Sequence, residues 1–154
     1  MALRTPQRTL PSVANTPKIE PNTLAASTVL HDDDEEEEEE GIKQVFINAR
    51  KIDEEGEPWA YEEGCLSIPF IRADVTRPEQ LTIEYYDENW EKQIKTLEGL
   101  SARVVQHEYD HIEGILFTDH LKPLKKKLLK RKLEAIKKGN IDADYRMRFK
   151  SQKR

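Results

Sequence analysis

The sequence predicts an α+β domain: antiparallel β-strands packed around a metal-binding helix, with a second helix at the carboxyl end. Two observations carry this. Strand-like runs come first, between residues 44 and 97, and helix-like runs follow them rather than alternate with them. Within the first helix, His107-Glu108-Tyr109-Asp110-His111 sets two imidazoles one turn apart on one face.

The first forty residues stand outside that pattern. Residues 1–30 contain Pro6, Pro11, Pro17 and Pro21 and no sustained apolar period, so they are expected to be disordered. Arg4, Arg8 and Lys18 against the single acid Glu20 resemble an organellar transit peptide, but four prolines oppose the amphipathic helix such a peptide needs. A cytoplasmic, bacterial-type location is therefore expected over an organelle. Nine successive acids, Asp32 to Glu40, repel one another and should form an extended segment. The expected organisation is a leader at 1–40, a metallohydrolase-like domain at 41–150 and a short tail at 151–154.

Within the domain, Gln44 to Ile52 holds Val45, Phe46, Ile47 and Ile52 and reads as a strand. Ile71 to Thr76 reads as a second. Leu81, Ile83 and Tyr85 alternate with Thr82, Glu84 and Tyr86, the period of a half-buried strand. Asp87-Glu88-Asn89 is turn material, and Trp90 to Leu97 reads as the returning strand. Gly99 to Glu113 is a helix with Leu100, Val104, His107 and His111 on one stripe, and Gly114 suits its left-handed cap. A second helix should run from about Leu124 to Lys138 and stop at Gly139-Asn140. Its stripe of Leu124, Leu128, Leu129, Leu133 and Ile136 is expected to pack on the domain.

Composition bounds the function. The chain of 154 residues is long enough for one domain with a core, yet hydrophobic and charged residues each make up 36%, a polar mix. No apolar run reaches the roughly 18 residues of a membrane-spanning helix. Cys65 is the single cysteine, so no intrachain disulfide forms, and a lone cysteine in a chain with histidines is a candidate ligand or nucleophile. The net charge of −5 hides an asymmetry: residues 122–154 carry fourteen Lys or Arg against Glu134, Asp142 and Asp144. A basic end on an acidic chain suits a polyanionic partner, while its bland reading is a solvated helix face. Neither membrane nor DNA is expected as a partner.

The chemistry centres on His107, Glu108 and His111. Imidazoles at i and i+4 can bind one metal ion. Glu108, about 100° around the helix from His107, can reach a water there without ligating the metal, as a general base requires. A catalytic site of this kind needs a third ligand. A third histidine three residues past Gly114 would complete one protease pattern, but that position is Phe117. Glu134 would serve another protease class and imply a zinc endoprotease. His120 precedes Lys122-Pro123 and reads as surface. Cys65 is the better candidate, since it can supply a thiolate and Gly64 beside it permits close backbone approach.

Glu63-Gly64-Cys65-Leu66-Ser67, followed some forty residues later by Gln106-His107-Glu108-Tyr109-Asp110-His111, resembles the second and third motifs of the peptide deformylase family. Gly99 to Val105 and Leu116-Phe117 also resemble it, so the likeness runs from about Lys43 to Phe149. The resemblance implies one divalent metal ion on Cys65, His107 and His111, ferrous iron first, with zinc, nickel or cobalt as substitutes. It implies N-formylmethionyl peptides as substrate, with formate and a free amino terminus as products. Glu108 would move the proton and the Leu66 backbone N–H would stabilise the oxyanion. Gly64 and Glu63 would line the substrate path, and Arg103 would pair with Glu63 behind the cysteine loop. It also implies docking on the ribosome through the basic carboxyl-terminal helix.

The family's first motif, a glycine-rich segment ending in glutamine, has no counterpart before Cys65; Leu24-Ala25-Ala26 shares only its small residues. In the family that glutamine is a second oxyanion donor, and losing one such donor costs about 10²–10³ in rate. A truncated, misread or degenerate member with impaired activity is therefore expected. Its rival is a non-catalytic homologue acting as a ribosome-binding module.

Overall fold

The computed structural model describes residues 23–27 and 42–149. In chain order these form β1 (Thr23–Ser27), β2 (Lys43–Glu55), β3 (Trp59–Cys65), β4 (Ile68–Arg77), β5 (Gln80–Tyr86), β6 (Lys92–Glu98), α1 (Gly99–Ile112), a 3₁₀ turn (Phe117–His120) and α2 (Pro123–Lys137). The α+β class read from the sequence is the one found. One sheet has the order β1-β2-β5-β6, the other is the β3-β4 hairpin, and every pairing is antiparallel. Among the described residues no helix is long and apolar enough to cross a membrane.

Alternation dictates the best-formed strands. In β5 the inward set is Leu81, Ile83 and Tyr85; in β4 it is Ile71, Ala73, Val75 and Arg77. β2 is bent by register shifts on either side of Arg50 and Lys51, and Asn48 sits in that bend with a φ of 51°. α1 packs Ala102 and Val105 against Phe46, Leu81, Ile83 and Leu97 of the four-stranded sheet. A second cluster joins the inner face of β4 to Phe117, Leu121 and Ile136. α1 therefore runs between two small cores, and its remaining faces are free to carry chemistry.

Three sequence expectations change. Thr23–Ser27, placed in a disordered leader, is an edge strand paired from Thr23↔Ile47 to Ser27↔Lys43. Main-chain pairing needs no apolar period, so this strand left no pattern to read. The rest of 1–40 and the tail 151–154 lie outside the described residues. β3, unassigned from the sequence, pairs along β4; its Glu62-Glu63-Gly64 stretch masks the alternation of a strand. In α2, Leu129 and Leu133 pack beside buried Ile136, but Leu124 and Leu128 are 71% and 70% exposed. At about 100° per residue, these two lie well off the 129–133–136 stripe, so one helix face cannot bury all five.

Candidate metal centre

The β3-β4 hairpin and α1 bring the motifs together. Register runs evenly from Trp59↔Arg77 to Gly64↔Arg72 and then jumps to Cys65↔Ile68, leaving residues 69–71 out of the ladder. Phe70, in this bulge, has a φ of 60°. The jump leaves Leu66 and Ser67 at the hairpin tip, with the Cys65 Sγ 3.3 Å from His111 Nε2. One donor atom each from Cys65, His107 and His111 lies within 4.8 Å of the others. Tetrahedral donors on a first-row divalent ion stand roughly 3.5 Å apart, so one thiolate and two imidazoles fit such an ion. Among the described residues no other group of three His, Cys, Asp or Glu is so placed.

A buried charge network holds these candidate ligands. His107 Nδ1 is 2.9 Å from Glu63 Oε2, which leaves Nε2 of the ring for a metal. Arg77 donates to both Glu63 oxygens at 2.8 and 3.0 Å and to Asp110 at 2.7 Å. Arg103 donates to Glu63 at 3.1 Å and to the Val75 and Trp59 carbonyls, both at 2.8 Å. Asp110 also meets His120 Nε2 at 2.7 Å, so His120 is taken up here and stands apart from the ligand group.

The charges follow from these contacts. Burial would raise the Glu63 carboxyl, yet its bonds to His107, Arg77 and Arg103, with the Arg77 charge, hold it at about 2. The hydrogen bond with His107 lowers the Cys65 thiol to about 6 against burial, helped by the Ser67 N–H and hydroxyl. Cys65 and then Glu63 raise His107 to about 9. The two shifts are opposite in sign, lowered at Cys65 and raised at His107, the direction of a thiolate–imidazolium pair.

An open cleft of about 490 Å³ leads to the ligands, walled by Tyr61, Gly64, Leu66, Arg72, Val104 and Glu108 among others. Glu108 stands on that wall beside His107. Leu66, 77% exposed, is at the rim. Glu63 also borders the cleft; the residue is 5% exposed and its carboxylate is bonded to His107, Arg77 and Arg103. A Cβ on Gly64 would meet Arg72 Cγ at 3.4 Å, the Ile71 carbonyl at 3.8 Å and Arg72 Cζ at 3.9 Å, ordinary contacts, so the fold alone does not demand glycine there. Glu134 is exposed on α2 and is outside the ligand group. Sequence reading missed Arg77 and the part played by Asp110. The signal was an arginine in the inward register of Ile71, Ala73 and Val75.

The sequence model of the polypeptide deformylase family matches residues 17–127, which includes β1. The peptide deformylase of Christiangramia forsetii is 60% identical over 113 residues, 73% of this chain and 58% of that protein. The peptide deformylase of Cytophaga hutchinsonii is 54% identical over 112 residues, 73% of this chain and 61% of that protein. The chain thus spans about three fifths of the length of these curated relatives. Among solved structures, Arabidopsis thaliana peptide deformylase 1B in complex with an inhibitor superposes with a TM-score of 0.61 at 36% identity, covering 66% of this chain and 56% of that one.

Proposed function

The chain belongs to the polypeptide deformylase family, and on that premise we propose that it hydrolyses the N-formyl group from N-formylmethionyl ends of newly made polypeptides, in the cytoplasm. The observation that carries this is the meeting of Cys65, His107 and His111 at an open cleft with Glu108 on its wall. Cys65, His107 and His111 would hold a divalent ion, which would supply Lewis acidity toward water and the formyl group.

The chain's own residues do the rest. Glu108 takes a proton from the attacking water and returns it to the leaving amine, so that water and a formamide give formate and a free amino terminus. The Leu66 backbone N–H, at the rim, is the donor for the oxyanion. Gly64 leaves room for the substrate main chain. Glu63, held by Arg77 and Arg103, fixes the His107 ring. Mixed thiolate and imidazole donors suit iron or zinc, and ferrous iron is the proposed resident metal.

The test is formate release from a formyl-Met peptide by the metal-loaded chain. Glu108→Ala should keep the metal and lose about 10²–10⁴ in kcat; normal turnover by that variant would remove Glu108 from the mechanism. A ribosome contact is proposed as well, supported by the exposure of Lys125, Lys126, Lys130 and Lys132 on α2. Co-sedimentation with ribosomes at low salt should vanish at high salt and on changing these four to glutamine. Should the chain sediment but release no formate with any metal, the ribosome-binding module is the better reading.

A further inference from the structure

The segment after α2 returns to the metal centre. Gly139 reverses the chain at a φ of 73°, with the Phe149 ring 3.1 Å from where a Cβ would stand. The Gly139 and Asn140 N–H groups close the helix on the Ile136 and Ala135 carbonyls, both at 2.9 Å. Beyond the turn, Ile141 packs in the cluster that Cys65 joins, and the Tyr145 hydroxyl donates to the Leu66 carbonyl at 2.7 Å. Tyr145 lies outside the 17–127 span matched by the family model.

That carbonyl is one end of the Leu66–Ser67 peptide. The other end, the Ser67 N–H, faces the Cys65 sulfur and helps to lower its thiol. A peptide unit is planar and stiff, so fixing its oxygen also fixes the direction of its N–H. A donor on the oxygen further polarises the unit and strengthens the N–H bond to sulfur. The need for a tether is plain: Leu66 sits at an exposed tip where the β3-β4 ladder has already broken register.

We propose that Tyr145 is a positioning residue for the metal centre, clamping the Leu66–Ser67 peptide so that the Ser67 N–H stays on the Cys65 sulfur and the adjoining Leu66 N–H stays at the cleft. This rests on the reading of Cys65 as a ligand. Hydrogen bonds to a ligating sulfur tune its electron donation to the metal, so Tyr145 acts on the centre from a distance, without touching it.

The experiment compares the full chain with Tyr145→Phe, which keeps the ring, both loaded with cobalt(II). The sulfur-to-cobalt charge-transfer band should move to longer wavelength. Amide exchange at Ser67 should rise roughly three- to tenfold, the range one hydrogen bond spans, with exchange along α1 and cobalt stoichiometry unchanged. kcat for formate release should fall by a similar factor with KM held within about twofold. An unmoved band with unmoved Ser67 exchange overturns the proposal. So does loss of cobalt in step with the band, which would make Tyr145 a general support of the fold. A parent chain that shows the band but releases no formate refutes the proposed activity, and band and exchange still decide on Tyr145. If the parent shows no band, Cys65 is not a ligand and the proposal falls with it.

Discussion

Changing Glu63 to glutamine tests the buried network where most of its bonds meet. The amide keeps the shape and removes the charge from between Arg77, Arg103 and His107, while Arg77 retains Asp110 at 2.7 Å and Arg103 retains two carbonyls at 2.8 Å. Removing one partner from a buried ion pair costs about 3–5 kcal/mol, and the retained partners place this case at the low end. The carboxyl's own titration leads to a similar figure: from 4.5 down to about 2 in the fold corresponds to roughly 3 kcal/mol. The sign is fixed by the depressed value. The stabilisation is complete above the unfolded value of 4.5 and is lost as pH falls through about 2. Urea unfolding with a chelator present, from pH 6 down to 2, should therefore show a gap of about 3 kcal/mol between parent and variant at pH 6 that closes at the acid end. A gap below about 1 kcal/mol, the worth of an exposed ion pair, or one that persists unchanged to pH 2, would refute the reasoning.

Cys65→Ala should lose most bound metal, whereas Glu134→Ala and His120→Ala should keep it; metal analysis of the purified variants decides, and equal metal in Cys65→Ala and the parent would remove the cysteine from the ligand set. Zinc affinity should rise about tenfold per pH unit between pH 6.5 and 8.5, because His107 holds its proton to about 9 and must release it on binding. Below about 6 the Cys65 proton must leave too and the slope should steepen; competition with a coloured chelator reads this, and a flat profile contradicts the thiolate–imidazolium pair. Gly64→Ala should unfold within about 1 kcal/mol of the parent, since only ordinary contacts await its methyl, yet KM for formyl-Met peptides should rise several-fold; an unchanged KM would place the substrate elsewhere.

What the sequence made legible was whatever repeats with a period or is carried by a spacing. β5 and α1 follow from alternation and from i, i+4 placement, and the same spacing put His107 and His111 on one face. The pairing of Cys65 with the histidines rested on the motif, since nothing local to residue 65 says that residue 111 is 3.3 Å away. β1 and β3 escaped for different reasons. β1 is an edge strand defined by main-chain bonds to β2, and β3 turns a carboxylate inward. An inward acid reads as an outward one until its arginines are known, and Arg77 and Arg103 reach Glu63 from fourteen and forty residues away. Burial of charge is a property of the assembled network, so neither side of it can be read singly.

α1 shows why the site could be built from so little sequence. A helix turns about 100° per residue, so fourteen residues offer several faces at once. Ala102 and Val105 fill the core against the four-stranded sheet, while Arg103 and Asp110, two turns apart, face the buried charges of β3 and β4. Val104, His107, Glu108 and His111 are left for the cleft. Each face constrains the others, because a rotation that improved packing on the sheet would draw His107 from Glu63 and His111 from Cys65. The hairpin is fixed from its own side by Arg77, whose guanidinium joins Glu63 of β3 to Asp110 of α1. The geometry of the candidate ligands is therefore a consequence of two rigid elements locked at a shared buried ion cluster, and the Cys65-Leu66-Ser67 tip is the part of the candidate centre that this lock does not reach directly.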